Sequence, residues 1–239
     1  MITEIRFRRT IVAVAASLAV FLAASAQASI NYGSFVGDQV SFIDVIEGSA
    51  TDPLPLFGAP NVVGDSLVFT PVEYIAVAEG PGSDITTATL NMMIAAKDGG
   101  LLQTIMIREF GDTGFTGLGG ANAATSVIGT MFVSFVQNNQ FITLPASQLI
   151  GNPSNLFNFP PPNGQGVAWS GVATINLAQL EVQKVTLTFD NVLTAVASSG
   201  GAAFIEKKGV VIDVTVPEPA SLSLMAAGAL LIGWRKRVG

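Results

Sequence analysis

Gly64-Asp65-Ser66-Leu67 carries a serine just after a Gly-Asp pair, and a serine hydroxyl is a candidate hydrolytic nucleophile. A serine hydroxyl attacks only when a neighbouring base takes its proton, most often an imidazole. The chain has no His and no Cys. Ser–His and Cys–His catalysis are therefore closed to it, as are the common zinc sites. The block reads instead as a turn entering a strand over Leu67–Val72. Carboxylates are the remaining chemistry: Asp38, Asp44, Glu47, Glu109 and Asp112 among others. Two carboxylates facing each other across a cleft can hydrolyse a glycosidic bond. Several converging on one point can hold Ca²⁺. The linear spacing pairs none of them and contains no EF-hand loop, so they read as solvated surface acids. Trp169, Tyr32 and Tyr74 are the rings on which a sugar face could stack. Trp169 shares the apolar face of its strand and reads as core.

Charge narrows the partners. The chain carries −6, yet each end is basic: Glu4 against Arg6, Arg8 and Arg9, and Glu218 against Arg235, Lys236 and Arg237. Each end is thus +2, and the segment between them carries −10. Such a body repels phosphate backbones, so nucleic acid is not an expected partner. Lys207-Lys208 reads as a solvated turn at a strand end. Nothing in the sequence demands a cofactor or a metal. With no Cys there is no disulfide framework.

The elements that must carry these residues read as strands. Thr87–Ala96, Val127–Phe135, Val167–Leu177, Val185–Phe189 and Val210–Val216 alternate apolar and polar residues with period two. Gln39–Glu47, Ser66–Val72, Leu101–Phe110 and Ala202–Lys207 are further strand candidates. Three segments read as loops: Gly48–Gly64 with Pro53, Pro55 and Pro60, the Gly-rich Gly111–Ala124, and the Pro- and Asn-rich Gly151–Gly166. No amphipathic helix of ordinary length is legible in the middle of the chain. Many short strands with turn residues between them predict one all-β domain, an antiparallel β-sandwich of jelly-roll type.

The two ends have a different character. Arg6, Arg8 and Arg9 precede an uncharged apolar stretch, Ile11 to Ala24, and then Ala26-Gln27-Ala28. This is the layout of a signal peptide, with signal peptidase acting after Ala28. At the C-terminus, Val216-Pro217-Glu218-Pro219-Ala220 precedes the apolar run Leu222 to Trp234 and the basic stop Arg235-Lys236-Arg237. As a helix that run spans about 20 Å, short of the roughly 30 Å hydrocarbon core unless flanking residues snorkel. The basic stop would hold the C-terminus on the cytoplasmic side.

This ordered tail closely resembles the PEP-CTERM sorting signal of Gram-negative bacteria. The resemblance implies an exported substrate of an exosortase, an integral-membrane cysteine protease-transpeptidase, in an organism that makes exopolysaccharide. More softly, Thr51–Gly58, Gly82–Thr86 and Leu187–Asn191 are similar to ectodomains found in front of such tails, which bring no defined activity.

The expected organisation is therefore a signal-peptide helix at 1–28, a β-sandwich ectodomain at 29–215 and a sorting tail at 216–239 with a short transmembrane helix. The expected function is a non-enzymatic structural or interaction role at the cell surface or in the exopolysaccharide matrix, after transient residence in the inner membrane. The alternative is a carbohydrate-binding module, calcium-assisted or not.

Overall fold

The computed structural model describes residues 28–117, 121–152, 156–158 and 166–217. The expected signal-peptide helix, Ala26 and the tail from Glu218 onward, with its expected membrane helix, lie outside them. Among the described residues no helix is long and apolar enough to cross a membrane. The described chain is all-β and antiparallel.

The first sheet has the order β1 (Ala28–Asn31), β3 (Val40–Ser49), β7 (Gly82–Ala96), β15 (Lys184–Ala197), β9 (Ala123–Gln137), β10 (Gln140–Thr143). The short strand β2 (Phe35–Val36) pairs with β3, and β11 (Ser147–Gln148) and β13 (Leu156–Asn158) pair with β9. The second sheet runs β12 (Ile150–Asn152), β14 (Val167–Asn176), β8 (Thr104–Gly117), β16 (Gly201–Thr215), β5 (Ser66–Phe69), β4 (Asn61–Val63), with β6 (Ile75–Glu79) beside the first half of β16. From β7 onward each successive long strand crosses to the opposite sheet. This zigzag differs from the Greek-key returns of which a jelly roll is made.

Period-two alternation supplies the core. Leu90, Met92 and Ile94 on β7, Met131 and Val133 on β9, and Leu187 and Phe189 on β15 meet Ile105 and Ile107 on β8 and Ile205, Val210 and Ile212 on β16. Each fully buried Leu, Ile or Phe stabilises the fold by about 1.5–3 kcal/mol through its removal from water.

Two bulges reset the alternation. In β3 the register shifts between Ile43 and Ile46, with Asp44 at φ 51°. Val40 and Phe42 point inward before it; Val45, Glu47 and Ser49 point inward after it. In β16 the register shifts between Lys207 and Gly209. Ala203, Ile205 and Lys207 face the core on one side of the shift, and Val210, Ile212 and Val214 on the other. The two expected strands at 202–207 and 210–216 are thus one strand, and Lys207 is inside it rather than on a solvated turn.

The expected Gly-rich loop at 111–124 is also corrected. Residues 111–117 complete β8, and Ala123 and Ala124 begin β9. Glycine weakens a strand because it has nothing to pack, but here large side chains from neighbouring strands fill the space. Trp169 stands opposite Gly111, Phe204 opposite Gly114 and Phe110 opposite Gly209. A Cβ on Gly111 would lie 1.9 Å from the Glu206 carbonyl oxygen and 2.8 Å from the Trp169 ring. Gly111→Ala should therefore part β8 from β16 and cost about 1–3 kcal/mol, read as a lower thermal midpoint by circular dichroism. An unchanged midpoint would show that this close approach is not a constraint.

Candidate functional site

The polar residues gather in three places. The first is the interior. The β3 bulge turns Glu47 into the core, where it is fully buried. Its carboxylate accepts the backbone N–H groups of Leu56 at 2.6 Å, Phe57 at 2.8 Å and Gly58 at 3.3 Å, and the Tyr32 hydroxyl at 2.5 Å. A carboxylate so satisfied fastens the Pro-rich 50–60 loop to β3. Burial first, and the Glu47 carboxylate second, push the Tyr32 phenol well above its usual value.

Phe57, carried by that loop, packs edge-on against Phe69 and Tyr74. The Lys207 ammonium sits 4.7 Å from the centre of the Tyr74 ring, 5.3 Å from Phe57 and 5.9 Å from Phe189, and pairs with Glu109. Both members of this pair are fully shielded from water. The other Glu109 oxygen accepts the Asn191 side-chain amide at 2.8 Å, and the Tyr74 hydroxyl donates to the Asn191 carbonyl at 2.9 Å. The cluster thus ties the second sheet to β15 of the first. Burial lowers the Lys207 ammonium to about 8, with Glu109 opposing the shift. Burial likewise raises the Tyr74 phenol. Glu47 and Glu109 are therefore not the solvated acids expected from the sequence. Asp38 and Asp44 are exposed, while Asp112 pairs with Lys208. Among the described residues no group of three ligating side chains could hold a metal.

The second place is the outer face of the first sheet. Ser29, Gly48, Thr89, Asp190, Thr130 and Gln148 lie directly opposite one another across six strands. Asn31, Ile46, Asn91, Thr188 and Phe132 form the next inward-skipping row. The Thr89 hydroxyl donates to Asp190 and the Thr188 hydroxyl to Asn91, each at 2.7 Å. An open cleft of about 430 Å³ is lined by Ser29, Ile46, Gly48, Thr89 and Asn91. The aromatic platforms read from the sequence are not there. Trp169 and Tyr74 are core, and Tyr32 is half-buried against Glu47.

The third place is the root of the C-terminal tail. β16 ends at Thr215, whose carbonyl accepts the Gln103 N–H at 2.8 Å. Val216 is buried and Pro217 is exposed. The Ser66 hydroxyl donates to Asp213 at 2.6 Å, and Arg108 pairs with the same carboxylate. Asp65 accepts the N–H groups of Gln39 at 2.6 Å and Val40 at 3.1 Å, and its carbonyl takes the Val214 N–H at 3.2 Å. The Gly64-Asp65-Ser66 turn thus clamps the end of β16 to the start of β3. Beside it a cleft of about 240 Å³ is lined by Asp38, Gln39, Lys97, Gly100, Val216 and Pro217, among others.

A family model for the PEP-CTERM protein-sorting motif matches residues 215–237. The chain carries a PEP-CTERM sorting domain. That match spans Val216 to Ala220 and Arg235-Lys236-Arg237, the residues read from the sequence, and the motif implies export, cell-surface sorting and processing by an exosortase. No curated protein matches the chain. Among solved structures the chain is similar to the enzymatically active domain of bacteriophage CBA120 tailspike protein 4, with 10% identity over 80% of this chain and 20% of that one, at a TM-score of 0.21. It spans about a fifth of that tailspike chain. It is also similar to TmCBM61, solved in complex with β-1,4-galactotriose, with 10% identity over 61% of this chain and 86% of that one, at a TM-score of 0.17.

The interior cluster makes its own prediction. An unfolded lysine keeps its proton to about 10.5, whereas folded Lys207 releases it above about 8. Between those values the unfolded state binds more protons, so stability rises with pH. Above 10 the sign reverses, because unfolded Tyr32 and Tyr74 release protons that the folded state retains. Urea melts should therefore show maximal alkaline stability at about pH 10. Glu109→Leu alone, which strands the ammonium, should cost about 3–5 kcal/mol, and adding Lys207→Met should restore most of it and abolish the rise. A rise that persists in the double variant would remove Lys207 as its cause.

Proposed function

We propose that the body is a non-enzymatic β-sandwich scaffold displayed at the cell surface or in the exopolysaccharide matrix. Signal peptidase cuts after Ala28. The apolar tail holds the protein briefly in the inner membrane, and an exosortase-like protease acts at the Val216–Ala220 motif. The observation that carries this reading is the continuity of the sorting motif with β16, a central strand of the body. The disposition of the polar interior supports it: the carboxylates of Glu47 and Glu109 are taken up by backbone N–H groups, the Tyr32 hydroxyl, the Lys207 ammonium and the Asn191 amide. Fractionation of producing cells tests the reading. The wild-type chain should be recovered shortened in the surface and matrix fraction, and Glu218→Ala should remain full-length in the inner membrane. Equal recovery of both at the surface would overturn it.

A second reading rests on the outer face of the first sheet. Its rows offer hydroxyls, amides, the Asp190 carboxylate and the half-exposed Phe132 ring, with no cation among them. Groups of that kind suit a neutral polyhydroxylated polymer: hydrogen bonds fix the hydroxyls and the ring takes an apolar sugar face. Affinity electrophoresis of the detergent-solubilised chain through gels containing hydroxyethyl cellulose should show retardation that an Asp190→Ala, Asn91→Ala double variant loses. Equal mobility in gels with and without the polymer would discard this reading.

A further inference from the structure

We infer that the folded pole around the tail root is itself part of what the processing protease recognises, so that the sorting signal is composite: the linear motif plus a docking face on the body. This rests on the sorting reading above, and it concerns the body, which the motif does not include.

Little free chain lies between the body and the motif. Val216 is buried, and the strand preceding it is held on both sides. Asp213 pairs with Ser66 and Arg108, Val214 bonds to Asp65, and Thr215 lies opposite Thr104 and bonds to Gln103. A protease reads its substrate as extended chain, and a strand whose N–H and C=O groups already serve a ladder cannot enter a cleft. The first residue free to be read is therefore Pro217, the first residue of the Pro-Glu-Pro triplet.

On the other side, only residues 217–221 separate the body from the apolar run that begins at Leu222. Five fully extended residues reach about 17 Å at most. While the tail is held in the membrane, an enzyme engaging this motif works in a gap of that height, with the body directly above it. Contact between enzyme and body is then a geometric consequence.

The pole is shaped for such contact. The Lys97–Gly100 turn is low, with Asp98 at φ 52° and Gly99 at φ 74°, and the two glycines place no side chain in the way. The carboxylates of Asp38 and Asp98 are exposed beside the cleft. The ammonium of Lys97 is turned back onto the Gly37 carbonyl at 3.1 Å. The face therefore presents acid outward, and the partner surface it fits is a basic rim around the protease cleft.

The test follows cleavage of the full-length chain by pulse-chase in a host carrying the protease. The variants are Glu218→Ala, an eight-residue Gly-Ser insertion between Thr215 and Val216, which leaves the motif intact, and an Asp38→Lys, Asp98→Lys double substitution. Thermal melts of the detergent-solubilised chains check that the bodies remain folded. The insertion and the charge reversal should each slow cleavage about tenfold, the scale of a lost steering contact, while Glu218→Ala blocks it. An insertion variant cleaved at the wild-type rate or faster would overturn the docking face while leaving the sorting reading intact. Cleavage of Glu218→Ala at the wild-type rate would sink the sorting reading itself.

Discussion

The period of two along a strand is a rigid constraint, and this fold depends on breaking it twice. Without the bulge at Asp44, the parity of Val40 and Phe42 would carry Asp44 inward and put Val45 and Glu47 in water. Without the bulge after Lys207, the parity of Ala203 and Ile205 would send Val210, Ile212 and Val214 outward. Each bulge thus changes which face half a strand contributes. Both have a polar consequence. One brings Glu47 to the loop it fastens. The other lets Lys207 and Val210 face inward together, with Glu109 opposite Val210.

The two buried acids are linked through Phe57. Glu47 holds its backbone N–H, and its ring closes over the ammonium that Glu109 neutralises. Removing a charge from water costs several kcal/mol, so such groups stabilise little in net terms. They do penalise alternatives heavily. A one-residue slip of β3 or β16 would leave Glu47 or Lys207 without its partner, and an unpaired buried charge costs far more than a misplaced valine. In a chain with no disulfide to fix strand pairing, this is a physical route to a single register.

Local patterns were legible and long-range ones were not. The alternation on β7, β9, β14 and β15 identified their core faces, Trp169 included, because burial on one face leaves its mark residue by residue. The Gly64–Leu67 turn was legible for the same reason, and the absence of His removed its catalytic reading. Gly111–Gly117 looked like a loop because the groups that make it a strand, Trp169 and Phe204, stand far away in sequence. Lys207 looked solvated because its acid is on another strand and its rings are on three further segments. One signal was available: Ala203-Ile205 and Val210-Ile212 are apolar on opposite parities, and a single strand joins them only through a bulge near Lys208. The same switch separates Val40-Phe42 from Val45 around Asp44.

The position of the second bulge bears on the tail. β16 lies between β8 along its whole length and β6 and β5 in turn, so it is central where it carries Lys207 and still clamped where it meets the sorting motif. A tail on an edge strand could fray and lend several residues to an enzyme at small cost. A tail on β16 cannot do so without parting Asp213, Val214 and Thr215 from Ser66, Arg108, Asp65 and Gln103. The contacts of Asp213, Val214 and Thr215 thus set how little chain is free at the surface. The body and its address are coupled through one strand, so a mutation deep in the sheet can alter how the tail is presented without touching the motif.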